Sequence, residues 1–284
     1  MRSMCANLNL DLYRKAYFYF DLPVEYKIKD KTLLIYPVTV KDSEIFLSSM
    51  SVIGIDKNSV DSVEIIQMSY LDFIYKVLFQ EQINISKFLN ILKYCLRLEN
   101  EAVEVGYDVN NKPFLRDKDN EIEIKSKDFE NIRRIILYQN LIHYDDEYIN
   151  PEAKKAMNEL DALRNANIEL PSIERKMAII TAHCGISKQE QMNMTYRSHS
   201  LLFEEVYGEV EFETTRPILL YAGKGNEMDH WIYKKKKGKF DGYFQSVKQY
   251  TEKMGGDSAI KISQDSAQSI GESYNKQFTS FRNN

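Results

Sequence analysis

The spacing of apolar residues switches between two types along the chain, and the order of these stretches limits the possible folds. Apolar and polar residues alternate at 24–28 and again across 103–124, which predicts short β-strands. Apolar residues recur at spacings of three and four at 62–79, 84–100 and 126–144, which predicts amphipathic helices. Because strand-type and helix-type stretches are segregated, we expect an α+β fold that is mainly helical.

The N-terminal part is expected to combine a β-hairpin, helices and a small β-meander. Val24–Ile28 and Leu33–Val38 are the predicted hairpin strands, and Pro37 suits a strand end or an edge strand. The meander is predicted at 103–124, with a turn at Asn110–Asn111.

The C-terminal part is expected to be a helical bundle. Ser172 suits the N-cap of one helix, and Gly185 suits its C-terminal end. Ser187 and Glu190 form the pattern of a capping box, which predicts a second helix that continues to about residue 208. Pro217 suits the start of a further helix through Tyr221.

These patterns predict five consecutive parts of the chain. They are a loose lead-in at 1–16, an N-terminal α+β domain at 17–145, a helical linker at 146–171, a C-terminal helical domain at 172–240, and a polar, weakly ordered tail at 241–284.

Charge and cysteine content narrow the class of protein. The formal net charge is −4, whereas dedicated nucleic-acid binders usually carry an excess of basic residues. Cys5, Cys95 and Cys184 form no CxxC pair, so reduced thiols in an intracellular protein are expected. No signal peptide and no stretch of about 18 apolar residues is recognisable, which predicts that the protein has no membrane partner.

No motif predicts catalysis, a cofactor or a metal site, so we expect a protein that is not an enzyme. None of the four histidines has a partner at a metal-ligand spacing. Gly223–Gly225 lacks the remainder of a phosphate-binding P-loop. The lysine run at 234–239 is interpreted as a solvated connector, although contact with phosphates stays open.

The stretch 176–206 suggests either a packed helical hairpin or a DNA-reading helix-turn-helix. Its second helix offers polar side chains that a groove-reading helix would need. These are Lys188, Gln189, Gln191, Asn193, Arg197 and His199. The same helix ends in Glu204 and Glu205, which would repel phosphates. A packed hairpin is therefore favoured, and binding to nucleic acid is not expected.

Two patches resemble tail assembly chaperones of tailed phages and prophages of low-GC Gram-positive bacteria. The first is FYFDLPVEYKIKDKTLLIYPVTVKDSEIF followed by IIQMSYLDFIY. The second is PSIERKMAIITAHCGISKQEQMNMTYRSHSLLFEEV followed by DHWIYKKK. The family includes short and long forms, and this chain resembles the long form. The lead-in and the polar tail depart from the family pattern.

The resemblance implies binding rather than catalysis. The expected partner is the tape-measure protein or another tail protein, and homo-oligomers are compatible with this role. The expected location is the cytoplasm of the bacterial host. Two alternatives stay open: a structural component of the virion, and a nucleic-acid-binding regulator. The hypothetical protein-binding residues are Tyr196, Leu201, Leu202, Phe203 and Trp231.

Overall fold

A two-stranded hairpin opens the fold of this computed structural model, which describes residues 8–57, 60, 62–147, 149–166, 169–225 and 232. Strands β1 (Val24–Ile28) and β2 (Lys31–Ile35) pair antiparallel, with Val24 opposite Ile35. The turn between them places Lys29 at φ 54°. Alternate residues of β1 are buried, as the sequence pattern predicts.

A separate meander contains β3 (Val103–Tyr107), β4 (Pro113–Asp117) and β5 (Ile122–Lys125), paired antiparallel in that order. The Asp108 carboxylate accepts hydrogen bonds from the backbone N–H groups of Asn110 and Lys112 and thereby closes the first turn. Both predicted β elements are therefore confirmed.

Helices account for most of the remaining described chain. In order they are α1 (Leu10–Ala16), α2 (Ser43–Ser49), α3 (Val63–Gln67), α4 (Tyr70–Lys76), α5 (Gln82–Leu96), α6 (Ser126–Asn140), α7 (Pro151–Asn165), α8 (Ile173–Cys184), α9 (Lys188–Asn193) and α10 (Tyr196–Tyr221). Short 3₁₀ turns lie at Phe18–Phe20, Val40–Asp42, Met50–Val52, Leu78–Gln80 and Asn100–Ala102. The predicted α+β, mainly helical class is confirmed.

The main hydrophobic core lies between the two β elements and helices α2, α4, α5 and α6. Its largest fully buried side chains are Phe46, Phe88, Ile35, Ile53, Leu71, Ile74, Ile91, Leu92, Leu115, Ile124, Ile132 and Ile135. Cys95 is fully buried in this core, and burial raises the pKa of its thiol. Its position on an apolar helical stripe predicts this packing role.

Two stretches predicted as single helices are each divided in the structure. Residues 62–79 form α3 and α4, because Met68 is extended and the Ser69 side chain caps α4 by accepting from the Asp72 N–H. Residues 187–208 divide at Met194, which is extended between α9 and α10. Helix α10 then continues through Pro217 to Tyr221, so Pro217 starts no new helix.

The predicted caps of the C-terminal helices are confirmed. Ser172 accepts from the Arg175 N–H at the start of α8, and Gly185 ends that helix at φ 71°. Ser187 and Glu190 form a reciprocal capping box on α9. Helix α7 lies within the predicted helical linker at 146–171, and none of its residues is buried.

The described residues belong to one compact unit within residues 1–234. The division into the five predicted parts stays a prediction, and the tail at 241–284 lies outside the described residues. Every helix in the described part of the chain is too short or too polar to cross a lipid bilayer.

Candidate protein-binding surface

Helix α10 is attached at its N-terminal end and exposed along its C-terminal half. Its 26 residues correspond to a length of about 39 Å. The first turns pack against α8 and α6. His199 and Val206 are the buried residues of α10, so its last four turns, from Tyr207 onward, bury no residue. A helix anchored at one end in this way presents an extended surface to solvent.

Backbone hydrogen bonds fix the start of α10 to the segment that follows β2. The Tyr196 N–H donates to the Val38 carbonyl over 2.7 Å, and the Val40 N–H donates to the Met194 carbonyl over 2.9 Å. Thr39 and Thr195 form the antiparallel bridge between these two bonds. This pairing requires extended backbone at Met194 and Thr195, which explains why α9 and α10 are separate helices.

Val38 also connects this junction to the end of α6. The Val38 N–H donates to the Asn140 side-chain oxygen over 2.7 Å, while the Val38 carbonyl accepts from Tyr196. Arg197 adds a further link, because its guanidinium donates to the Tyr138 carbonyl over 3.0 Å. The N-terminus of α10 is therefore connected both to the segment that follows β2 and to α6.

The carboxylate of Asp21 completes the attachment of α10. It accepts a hydrogen bond from the Thr195 hydroxyl over 2.6 Å and from the Ser198 hydroxyl over 2.7 and 2.9 Å. Asp21 has a φ of 56°. A negative charge at a helix N-terminus is also favoured by the helix dipole. Sequence reasoning did not identify Asp21, because no local motif relates it to residues that lie far along the chain.

Gln191 connects α8, α9 and α10 inside the C-terminal helical region. Its side-chain nitrogen lies 2.9 Å from the Thr181 hydroxyl, 2.9 Å from the Ile186 carbonyl and 3.1 Å from the Met177 carbonyl. Its side-chain oxygen lies 3.1 Å from Nε2 of the buried His199. Burial, and secondarily the positive charge of Lys176, lowers the pKa of His199 below its ordinary value.

These contacts bear on the helix-turn-helix alternative. Gln191 and His199 are buried, and Arg197 is engaged with a backbone carbonyl. Three of the six polar side chains that would have read a DNA groove are thus occupied within the fold.

The predicted protein-binding residues lie on different sides of α10. Leu201 is exposed, whereas Tyr196, Leu202 and Phe203 are half-buried. Residues two positions apart on an α-helix are rotated by about 200° around its axis, so Leu201 and Phe203 point in nearly opposite directions. The Lys176 ammonium lies 5.2 Å from the centre of the Phe203 ring. Trp231 lies outside the described residues, and the binding role of all five stays a prediction.

A groove runs along one face of the exposed half of α10. Its volume is about 700 Å³. Its lining in the described part of the chain comes from Glu209, Phe212, Glu213, Arg216, Pro217, Leu220 and Tyr221. Sequence reasoning missed this surface, because it placed a helix boundary at Pro217. The spacing of three and four between the lining residues is the signal that indicates one helical face.

The exposed half of α10 is also acidic. From Tyr207 to Tyr221 the helix carries three glutamates and a single basic residue, Arg216, so these groups give a net charge of −2. Glu204 is engaged with His143, whose Nε2 lies 2.5 Å from a Glu204 carboxylate oxygen. Arg216 lies 6.0 Å from the centre of the Phe212 ring. The arrangement combines apolar contact area with negative charge.

Groups suited to metal binding or nucleophilic chemistry are dispersed. Among the residues that the structure describes, no three His, Cys, Asp or Glu side chains are grouped as metal ligands. His183 and His143 lie on the surface, His230 is outside the described residues, and Cys184 is exposed. The lysine run at 234–239 is likewise outside them.

Comparison of the chain with protein-family models, with curated proteins and with solved structures finds no match.

Proposed function

We propose that the protein is a phage tail assembly chaperone that binds the tape-measure protein in the cytoplasm of the bacterial host. The observation that carries this proposal is the exposed apolar surface of α10. Leu220 and Tyr221 both line the groove on this helix and are each more than half exposed, and Tyr221 reaches 95%. Exposed apolar residues grouped on one element are typical of protein-binding surfaces.

The physical role of such a surface is to cover the apolar segments of another polypeptide. A tape-measure protein with long apolar helical stretches would aggregate until tail-tube subunits surround it. A helix attached at one end can lie along such a stretch and exclude other copies of it. Binding of this kind makes and breaks no covalent bond, so the proposed protein is not an enzyme.

Co-expression with the tape-measure protein encoded by the same phage tests the proposal. We expect the soluble fraction of the tape-measure protein to rise severalfold when the full chain is present. An unrelated soluble protein expressed at the same level is the control. Equal solubility with either protein would refute the chaperone function.

Composition of the finished particle separates this function from the alternative of a structural virion protein. We expect mass spectrometry of purified particles to detect the tape-measure protein and not this chain. Detection of this chain at a fixed ratio to tail subunits would favour the virion alternative instead.

A further inference from the structure

We infer that two copies of the protein pair through the outer edge of β3, with the two β3 strands antiparallel, and so join their three-stranded sheets into one. The outer edge is the side of β3 that faces away from β4 in the meander. This pairing goes beyond the proposed function and is independent of it, because its contacts lie in the meander rather than on α10.

The backbone hydrogen bonds of the meander show which groups of β3 point outward. In an antiparallel pair, residues that exchange hydrogen bonds alternate with residues whose N–H and C=O groups point away from the partner strand. The Asp108 N–H donates to the Lys112 carbonyl, and the Lys118 N–H donates to the Ala102 carbonyl, over 2.9 Å each. The register between these two bonds is continuous. Even-numbered residues of β3 therefore bond to β4, and odd-numbered residues point their backbone groups outward.

Most of these outward groups have no partner within the described part of the chain. The Val103 N–H donates to the Asn100 carbonyl in the preceding 3₁₀ turn. The Val103 carbonyl and both backbone groups of Val105 and Tyr107 form no hydrogen bond among the described residues. Pro113 lies opposite Tyr107 and has no N–H to donate to β3, in agreement with this assignment. The outer edge therefore offers both donors and acceptors to an added strand.

Strand β3 lacks the features that commonly keep an exposed edge from pairing. Such edges are blocked by proline, by lysine or by a bulge. The sequence of β3 is VEVGY, and its register with β4 contains no bulge. Val105 and Tyr107 are 45% and 39% exposed, although they lie on the same face of the sheet as the buried Leu115. The apolar layer of the sheet thus ends in partly exposed side chains, which an added strand would cover.

The opposite edge of the meander is less accessible. Strand β5 lies beside β1 of the hairpin. At the turn that precedes β5, the Lys31 ammonium donates to the Asn120 carbonyl over 2.7 Å and to the Glu121 carbonyl over 3.0 Å. The sheet is therefore more readily extended at β3.

The side chains of β3 make a second copy of the same strand a suitable partner. An antiparallel pair centred on Val105 places Val105 opposite Val105 and Val103 opposite Tyr107, so that apolar residues meet on one face. On the other face it places Glu104 opposite Gly106, which carries no charge. The Val105 N–H of each copy then donates to the Val105 carbonyl of the other, and the Tyr107 N–H donates to the Val103 carbonyl.

Charge selects this register among the possible ones. A slide by one residue would set outward groups of one strand against groups of the other that already bond to β4. A slide by two residues places Glu104 opposite Glu104 of the second copy in one direction and opposite Asp108 in the other. Like charges directly opposite each other destabilise a strand pair. The strand is therefore complementary to itself in the register centred on Val105, as a two-fold contact requires.

Sedimentation velocity of the full chain at increasing concentration tests for the dimer. We expect the parent chain to pass from one copy to two between about 1 and 100 µM, a range suited to a contact of small area. Val105→Lys places charges opposite each other at the centre of the pair and should raise the dissociation constant at least about tenfold. Val109→Lys makes the same change at a fully exposed valine beyond the strand and should alter the dissociation constant less than about twofold.

A proline variant separates loss of pairing from loss of folding. The Val105 N–H faces away from β4, and proline is tolerated on edge strands at such positions. We expect Val105→Pro to keep the circular dichroism spectrum of the parent and to remain monomeric at about 100 µM.

Cross-linking tests the register. In a chain that also carries Cys5→Ser and Cys184→Ser, Val105→Cys should form a disulfide-linked dimer on mild oxidation, because directly opposite residues lie about 5.5 Å apart. Val109→Cys in the same background should stay unlinked, because its two copies would lie about 27 Å apart. Cys95 is left unchanged, since it is buried.

Several results would overturn the inference. A parent chain that stays monomeric at about 100 µM would do so, and so would a dimer that Val105→Pro and Val105→Lys leave unchanged. Equal cross-linking of Val105→Cys and Val109→Cys would refute the register. If the parent is monomeric and its Val105 and Tyr107 amides gain protection from hydrogen exchange only when the tape-measure protein is added, the edge binds another polypeptide instead of a second copy.

Discussion

Replacement of Asp21 should detach the N-terminus of α10 and lower the stability of the protein. The carboxylate accepts hydrogen bonds from the Thr195 and Ser198 hydroxyls. Both hydrogen bonds lie in a partly exposed site, so we assign about 1 kcal/mol of stability to each of them. Alanine at the φ of 56° found here adds about 1 kcal/mol of backbone strain. We therefore expect Asp21→Ala to lower the free energy of unfolding by about 3 kcal/mol.

Asparagine separates the backbone effect from the loss of the carboxylate. It tolerates the left-handed conformation and keeps one acceptor oxygen, so Asp21→Asn should cost only about 1 kcal/mol. A double-mutant cycle of Asp21→Ala with Ser198→Ala should give a coupling energy of about 1 kcal/mol, because both changes remove the same hydrogen bond.

Urea unfolding followed by far-ultraviolet circular dichroism measures these differences. Asp11→Ala is the matched control, since that carboxylate is exposed and, among the residues that the structure describes, forms an ion pair only with Arg14 over 3.5 Å. It should change the stability by less than about 0.5 kcal/mol. The role assigned to Asp21 would be refuted if Asp21→Ala changed the stability as little as Asp11→Ala does. It would also be refuted if the effects of Asp21→Ala and Ser198→Ala on stability were strictly additive.

The remaining predictions concern the C-terminal helices. The pKa of His199 is lower in the folded protein than in the unfolded chain, so the unfolded chain binds a proton more readily. The stabilising contribution of neutral His199 is therefore complete above about pH 6.5 and is lost as pH falls below that value. In urea unfolding at several pH values, His199→Gln should remove this pH dependence. Gln191→Leu should lower stability by about 2–4 kcal/mol because His199 and three acceptors lose their partner, whereas the exposed Gln189→Leu should have little effect on the thermal midpoint. Gly185→Ala should lower the free energy of unfolding by about 1 kcal/mol. The whole effect should come from the φ of 71°, because no atom lies within 4 Å of the added carbon. Gly185→Asn should lower it less in the same thermal measurement, because asparagine tolerates this conformation better than alanine.

Features encoded by local sequence were predictable from the chain. The capping box of Ser187 and Glu190, the end of α8 at Gly185 and the hairpin after Val24 each depend on residues a few positions apart. The burial of Cys95 followed from helical spacing alone. Local hydrogen bonding and apolar periodicity determine these features, so a single sequence contains enough information for them.

Features that depend on distant residues were not predictable. The division at Met194 exists because Val38 and Val40 bind the backbone on either side of Thr195, and apolar spacing continues across this point without a break. Thr195 does cap α10 by accepting from the Ser198 N–H, which is the one local signal of the boundary. The groove escaped prediction for the opposite reason, since Pro217 indicates a boundary that the structure does not have.

The bridge between Thr39 and Thr195 has a consequence for synthesis of the protein on the ribosome. The ribosome makes Val38 and Val40 long before Met194 and Tyr196. Until those two residues are made, the Val38 carbonyl and the Val40 N–H must form their hydrogen bonds with water. The pairing of Thr39 with Thr195 is therefore a late step of folding. A truncated chain that ends before α8 would leave the Val38 carbonyl and the Val40 N–H permanently unpaired with other backbone groups.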